Sequence, residues 1–138
     1  MSFEVYLQSF NYGDFAGLPR QSVRAAFGAY LTETDLNYWR VHYDEENWCT
    51  VGLSADAAHP EFVHGLAVHR PCADRRLWDA LAAILGLGNN VLYFPDCRAP
   101  LVARTSAIDH LPSDLIEALG RPVVVLTGEQ IQHEVETS

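Results

Sequence analysis

The stretch from Tyr38 to Ala55 constrains the fold more than any other. Two runs, Tyr38 to Asp44 and Trp48 to Ala55, alternate apolar and polar residues on either side of Glu45-Glu46-Asn47. A period of two fits a half-buried strand and no helix, and the short polar break predicts a hairpin. Trp39, Val41 and Tyr43 would share a face with Cys49, Val51 and Leu53. The other face would carry Tyr38, Arg40, His42 and Asp44 beside Trp48, Thr50, Gly52 and Ser54. A sheet with one apolar and one polar side needs helices over the first and leaves the second open.

The rest of the chain supplies those helices and further strands. Phe3 to Phe10 alternates and reads as a first strand. Pro19 suits a helix start, with Val23, Ala26, Phe27 and Tyr30 at helical spacing and Gly28 as its stop. Val63 to Arg70 reads as a strand halted by Pro71, without showing which of its faces is core. A helix follows from about Ala73 to Leu85, with Leu77, Trp78, Leu81, Ile84 and Leu85 as its stripe. Val91 to Phe94 and Leu101 to Ala103 are short apolar strands, and Thr105 or Ser106 caps a helical turn. Pro112 to Leu119 is a further helix, and Val123 to Thr127 a last buried strand. This order predicts an α+β two-layer sandwich: a mixed, mainly antiparallel sheet of about 5–7 strands with two to three helices on one face. The 138 residues, 49% apolar, suit one domain over 1–127. Residues 128–138 are polar and acidic and are expected to form a frayed tail.

Charge and composition exclude several activities. The chain has no lysine; its nine basic residues are arginines, set against eighteen acids for a net charge of −9. A P-loop, a Schiff-base enzyme and a Ser-Lys dyad all lack their amine. The acidity opposes nucleic-acid binding, which needs a basic footprint. No apolar run follows a basic leader, and the longest apolar stretch, Leu77 to Leu87, is broken by Asp79 and Gly86. It falls short of the roughly 20 residues that cross a bilayer. A soluble cytoplasmic protein is therefore expected, with no membrane partner. Three widely spaced cysteines, an odd count, fit a reducing compartment and no disulfide.

Among candidate chemical groups Cys72 stands out. It falls between a strand and a helix start, where unpaired N–H groups favour a thiolate, and His69, Arg70, Arg75 and Arg76 are its sequence neighbours. One reading is a cysteine-dependent enzyme with His69 or His42 as base; the other is a small residue filling the strand–helix junction. Cys97, in Asp96-Cys97-Arg98 between two prolines, is either a reactive turn thiol or part of a rigid connection. Cys49 falls on the apolar side of its strand and is expected in the core. No metal site is expected, because His64 and His69 lie an odd step apart on one strand and no Cys-x-x-Cys or His-Glu-x-x-His pattern occurs. Gly86-Leu-Gly88 follows a helix and is a stop, not a phosphate loop. No cofactor is implied.

The polar hairpin face is the broader candidate. Tyr38, Arg40, His42, Trp48 and Thr50 would lie together, joined by Gly65, Ala67 and His69 if that side of their strand is outward. Aromatics and Arg beside small residues are the material of protein interfaces. Glu33 to Glu46 carries five acids against one Arg, with Glu45 and Glu46 at the hairpin tip. Such an edge steers basic partners, although solubility alone also accounts for it.

Three segments also suggest a family: Phe3-Glu-Val-Tyr-Leu-Gln-Ser-Phe10, His69-Arg-Pro-Cys72 with Leu77-Trp78, and Val91-Leu-Tyr-Phe-Pro-Asp-Cys-Arg-Ala-Pro-Leu-Val-Ala103. Together they resemble small stand-alone bacterial proteins without an assigned activity, a resemblance that carries over no site. In size and acidity the chain is similar to immunity proteins that neutralise bacterial toxins. The expectation is a non-enzymatic protein-binding domain, in one form an immunity-type or inhibitor protein acting on a basic partner. The alternatives are the Cys72 enzyme and a homodimer formed through the open face.

Overall fold

The alternation between Tyr38 and Ala55 folds as a hairpin. In the computed structural model, which describes residues 4–95 and 99–136 (backbone alone at Glu33 and Thr34), β5 (Tyr38–His42) pairs antiparallel with β6 (Trp48–Ser54). Trp39, Val41, Cys49 and Val51 are all buried, so the apolar face is the one expected. Asp44 shapes the connection by accepting hydrogen bonds from the backbone N–H groups of Glu46 (2.9 Å) and Asn47 (2.8 Å).

The other strands are β1 (Glu4–Asn11), β2 (Asp14–Phe15), β3 (Leu18–Pro19), β4 (Leu31–Asp35), β7 (Phe62–Val63), β8 (Gly65–His69), β9 (Asn90–Tyr93), β10 (Leu101–Val102) and β11 (Val123–Val124). The main sheet runs β11-β10-β9-β1-β8-β6-β5-β4, with β2 paired to β1; β3 and β7 form a separate pair. Nine strands exceed the 5–7 expected, because β2, β4 and the pairs at the sheet ends are short or lack an alternating pattern. Every pairing is antiparallel except β10 with β11.

Helices α1 (Arg20–Phe27), α2 (Arg75–Leu85) and α4 (Gly128–Glu136) bury Val23, Phe27, Leu77, Leu81, Ile84 and Ile131 in the core over one sheet face. Leu7, Leu66, Val68 and Leu92 meet them from the strands. The fold is thus an α+β sandwich. A smaller core lies on the opposite face at the β9–β10 end. There the 3₁₀ helix Thr105–His110 and α3 (Ser113–Leu119) cover Phe10, Val91 and Val102. Beyond that end the second face is open.

Two expectations are corrected. Residues 128–136 form α4 instead of a frayed tail. Thr127 accepts from the Gln130 N–H at 3.2 Å, Gln130 returns a hydrogen bond from the Thr127 N–H at 3.3 Å, and Ile131 packs inward. This is a reciprocal N-terminal cap. The last strand is not buried as a whole: β11 pairs only with β10, leaving Val123 and Val124 exposed while Val125 is buried. Cys97 and its Asp96–Arg98 turn lie outside the described residues. No helix among the described residues is long and apolar enough to cross a membrane.

Candidate functional site

The β-pleat places the open face residue by residue. Arg40 lies opposite Thr50, His42 opposite Trp48, and Tyr38 opposite Gly52 on the β5–β6 pair. The β6–β8 register sets Thr50 beside His69 and Gly52 beside Ala67. The β1–β8 register then brings Glu4 to His69 and Tyr6 to Ala67, and β9 adds Tyr93 beside Tyr6. The strand whose faces were undecided therefore buries Leu66 and Val68 and presents Ala67 and His69 outward. Gly65 does not join the surface. It is buried under β1, where an added Cβ would lie 2.3 Å from the Leu7 carbonyl oxygen.

These side chains order one another. The Arg40 guanidinium sits 4.4 Å above the Trp48 ring, a cation–π contact that contributes about 0.5–1 kcal/mol at an exposed site. Tyr38 stacks on His69 at 6.3 Å between centroids, and Tyr6 on Tyr93 at 5.4 Å. Glu4 accepts from the Tyr6 hydroxyl and lies 3.3 Å from His69 Nδ1. Those two partners hold its carboxyl below the ordinary value, Tyr6 contributing most. Trp48 is 45% exposed and Tyr38 40%, although both belong to strands whose opposite face is sealed. Between them Tyr38, Trp48, Cys49, Thr50, His69 and Arg70 line a depression of about 330 Å³. A longer groove of about 660 Å³ runs between this face and α3, lined by Tyr6, Phe10, Tyr93, Pro112, Leu115 and Leu119 among others. Glu45 and Glu46 are exposed at the hairpin tip.

The sequence-derived binding set is thus assembled: Tyr38, Arg40, His42, Trp48 and Thr50 share one surface, with Glu45 and Glu46 on its rim. Glu4, Tyr6 and Tyr93 extend it. Their signal was the outward alternation of Glu4, Tyr6 and Gln8, which becomes informative only once β1 is known to neighbour β8.

The enzyme set is not assembled. Cys72 packs on the helix side, against the cluster that holds Cys49, whereas His42 and His69 project from the other face. The neighbouring Cys49 thiol and the Asp74 backbone N–H at the start of α2 favour a thiolate at Cys72 and lower it to about 7, against the cost of partial burial. The Cys72 neighbour, with burial, pushes the Cys49 thiol up. The neighbouring arginines are engaged elsewhere: Arg76 bonds Asp74 at 2.7 Å and lies over Tyr30 and Tyr43, and Arg75 bonds Gln132 at 2.7 Å. Both Cys49 and Cys72 are free thiols. Among the described residues no three metal-ligating side chains converge.

No family model, curated protein or solved structure matches the chain. The functional reading therefore rests on the geometry of this face.

Proposed function

We propose that the protein is a non-enzymatic binding module that recognises a basic protein partner through its open sheet face, with an immunity-type or inhibitor role as the concrete form. The observation that carries this reading is the open row from Trp48 and Arg40 through Tyr38 and His69 to Tyr6, which ends at Tyr93 where α3 begins to cover the face. Trp, Tyr and Arg are the side chains that dominate interface energies. Here they line, with Thr50, His69 and Arg70, a hollow that leaves room for a partner's side chain. The net charge of −9, with Glu45 and Glu46 at the rim, favours a basic partner.

A photo-crosslinker placed at Thr50 in the otherwise native chain would capture the partner, and its affinity would then be measured against wild type and Trp48→Ala. A loss of about 30-fold or more is expected, the equivalent of about 2 kcal/mol for a buried aromatic anchor. An acidic partner, or one that binds Trp48→Ala equally well, would refute the proposal. Concentration-dependent sedimentation that Trp48→Ala abolishes would instead assign the face to a homodimer.

A further inference from the structure

The groove beside α3 is built differently from the Trp48 hollow. Its floor is the outward row of β1, where Tyr6, Gln8 and Phe10 follow at every second residue. Both aromatics of that row carry a second, stacked ring. Tyr6 stacks on Tyr93 at 5.4 Å with 26° between planes, and Phe10 on Phe15 at 5.5 Å with 22°. Phe15 is 61% exposed and also stacks on His64 at 5.9 Å. Pro112, Leu115 and Leu119 supply the α3 side. The β1–β2 turn is tied to that side through His110. The Tyr12 N–H donates to His110 Nδ1 at 3.2 Å, and the Gly13 N–H to the His110 carbonyl at 2.8 Å. The groove is therefore formed before anything enters it.

Resting on the protein-binding reading of the adjoining face, we infer that this groove takes a proline-rich, arginine-bearing segment of the partner in the polyproline II form. Aromatic-lined grooves are the surfaces on which such segments dock. The dimensions agree. Tyr6 and Phe10 stand four residues apart on a strand, about 13 Å. One polyproline II turn of three residues covers about 9 Å, so two prolines a turn apart fit between the two aromatic pairs. That backbone makes no internal hydrogen bonds, which leaves its carbonyls free to accept from the Gln8 amide between the pairs. An added β-strand does not fit here, because β1 is already paired with β8 and β9, and β9 with β1 and β10. The charge also selects. Among the described residues lining the groove Asp114 is the one charged side chain, and the Glu4 carboxylate stands at the Tyr6 hydroxyl. Two carboxylates with no described arginine in the lining favour a cationic side chain beside the prolines.

The test titrates the full isotope-labelled chain with a synthetic peptide of about ten residues, carrying two prolines one polyproline II turn apart and an arginine at one end or the other. Saturable amide shifts are expected at Gln8, Tyr93 and Leu115. Replacing both prolines by alanine should weaken binding at least ~10-fold, since the preformed backbone is lost. Phe15→Ala should weaken it about 5-fold or more. Asp114→Asn should weaken the arginine peptide about 2–5-fold and leave a glutamine-for-arginine peptide unchanged. Should Phe15→Ala fail to fold, the peptide series and Asp114→Asn still decide. Equal binding of the proline-free peptide, shifts confined to residues outside the groove, or no shifts at millimolar peptide would overturn the inference. Capture of a Trp48-dependent partner without peptide binding would sink the groove and leave the face reading standing. Peptide binding in the groove without such a partner would support the groove and sink the face reading alone.

Discussion

Replacing Ile131 by Ala separates a packed α4 from a frayed tail. Ile131 is 0% exposed where α4 lies on α2. The approach is close: a Cβ added to Gly128 would lie 2.5 Å from the Asp79 backbone nitrogen and 2.7 Å from the Trp78 carbonyl carbon. With α2 held on the sheet by Leu77, Leu81 and Ile84, little in the neighbourhood can collapse into the space left by the removed methyl groups. The cost should therefore fall within the 2–5 kcal/mol typical of buried Ile→Ala changes. Unfolding entropy for a 138-residue chain is about 0.3 kcal/mol per kelvin, so Tm should drop by roughly 7–17 °C. Thermal melts followed by circular dichroism, with urea titrations for the free energy, would measure it. Glu129→Ala, an exposed first-turn change, should cost under about 1 kcal/mol. An Ile131→Ala effect within about 0.5 kcal/mol of zero, the range of surface substitutions, would refute the packing of α4.

Two further perturbations test the core and the charges. Leu81→Ala on α2 should lose about 2–5 kcal/mol, while Trp48→Ala should change folding stability only modestly because its side chain faces away from the core; comparable losses would show the sheet faces reversed. Asp74 is held below the ordinary aspartate value by the Arg76 side chain, so its folded value lies below its unfolded one. Its contribution is present above the unfolded value and disappears as pH falls through the folded one. Denaturant midpoints of the wild type should therefore decline below about pH 4, more steeply than those of Asp74→Asn, and parallel curves would contradict the assignment.

What the sequence revealed depended on how local each interaction is. The β5–β6 hairpin was legible because both strands carry their alternation and lie a few residues apart. The helix over Arg75–Leu85 was legible from its stripe, and the placement of Cys72 just before it from Pro71. The packing of Cys72 against the core that holds Cys49 was not, because it needs the β6–β8 pairing and the left-handed turn at Arg70. The central position of β1 was equally hidden: its partners at Gly65–His69 and Asn90–Tyr93 are remote in sequence. For α4 the information was present. Thr127 and Gln130 stand at the capping-box spacing and Ile131 and Val135 are one helical turn apart, but polar composition outweighed so narrow a stripe. Val123 and Val124 err the other way, since an apolar pair reads as buried whether it ends in the sheet's middle or at its edge.

The place of β1 also governs how the chain comes into being. It is the earliest of the described strands to be synthesised, yet it lies in the interior of the sheet between two late neighbours, β8 and β9. Neither exists when β1 leaves the ribosome. At translation rates of about 5–20 residues per second, Val5 and Leu7 wait on the order of seconds before any antiparallel partner emerges. The β5–β6 hairpin, whose halves are adjacent, can form within microseconds of its own completion. Assembly therefore starts at the aromatic end of the sheet and reaches its oldest strand late, so the nascent chain carries an apolar segment with open backbone edges through much of its growth. Such a segment is what chaperones and, in their absence, intermolecular strand pairing compete for.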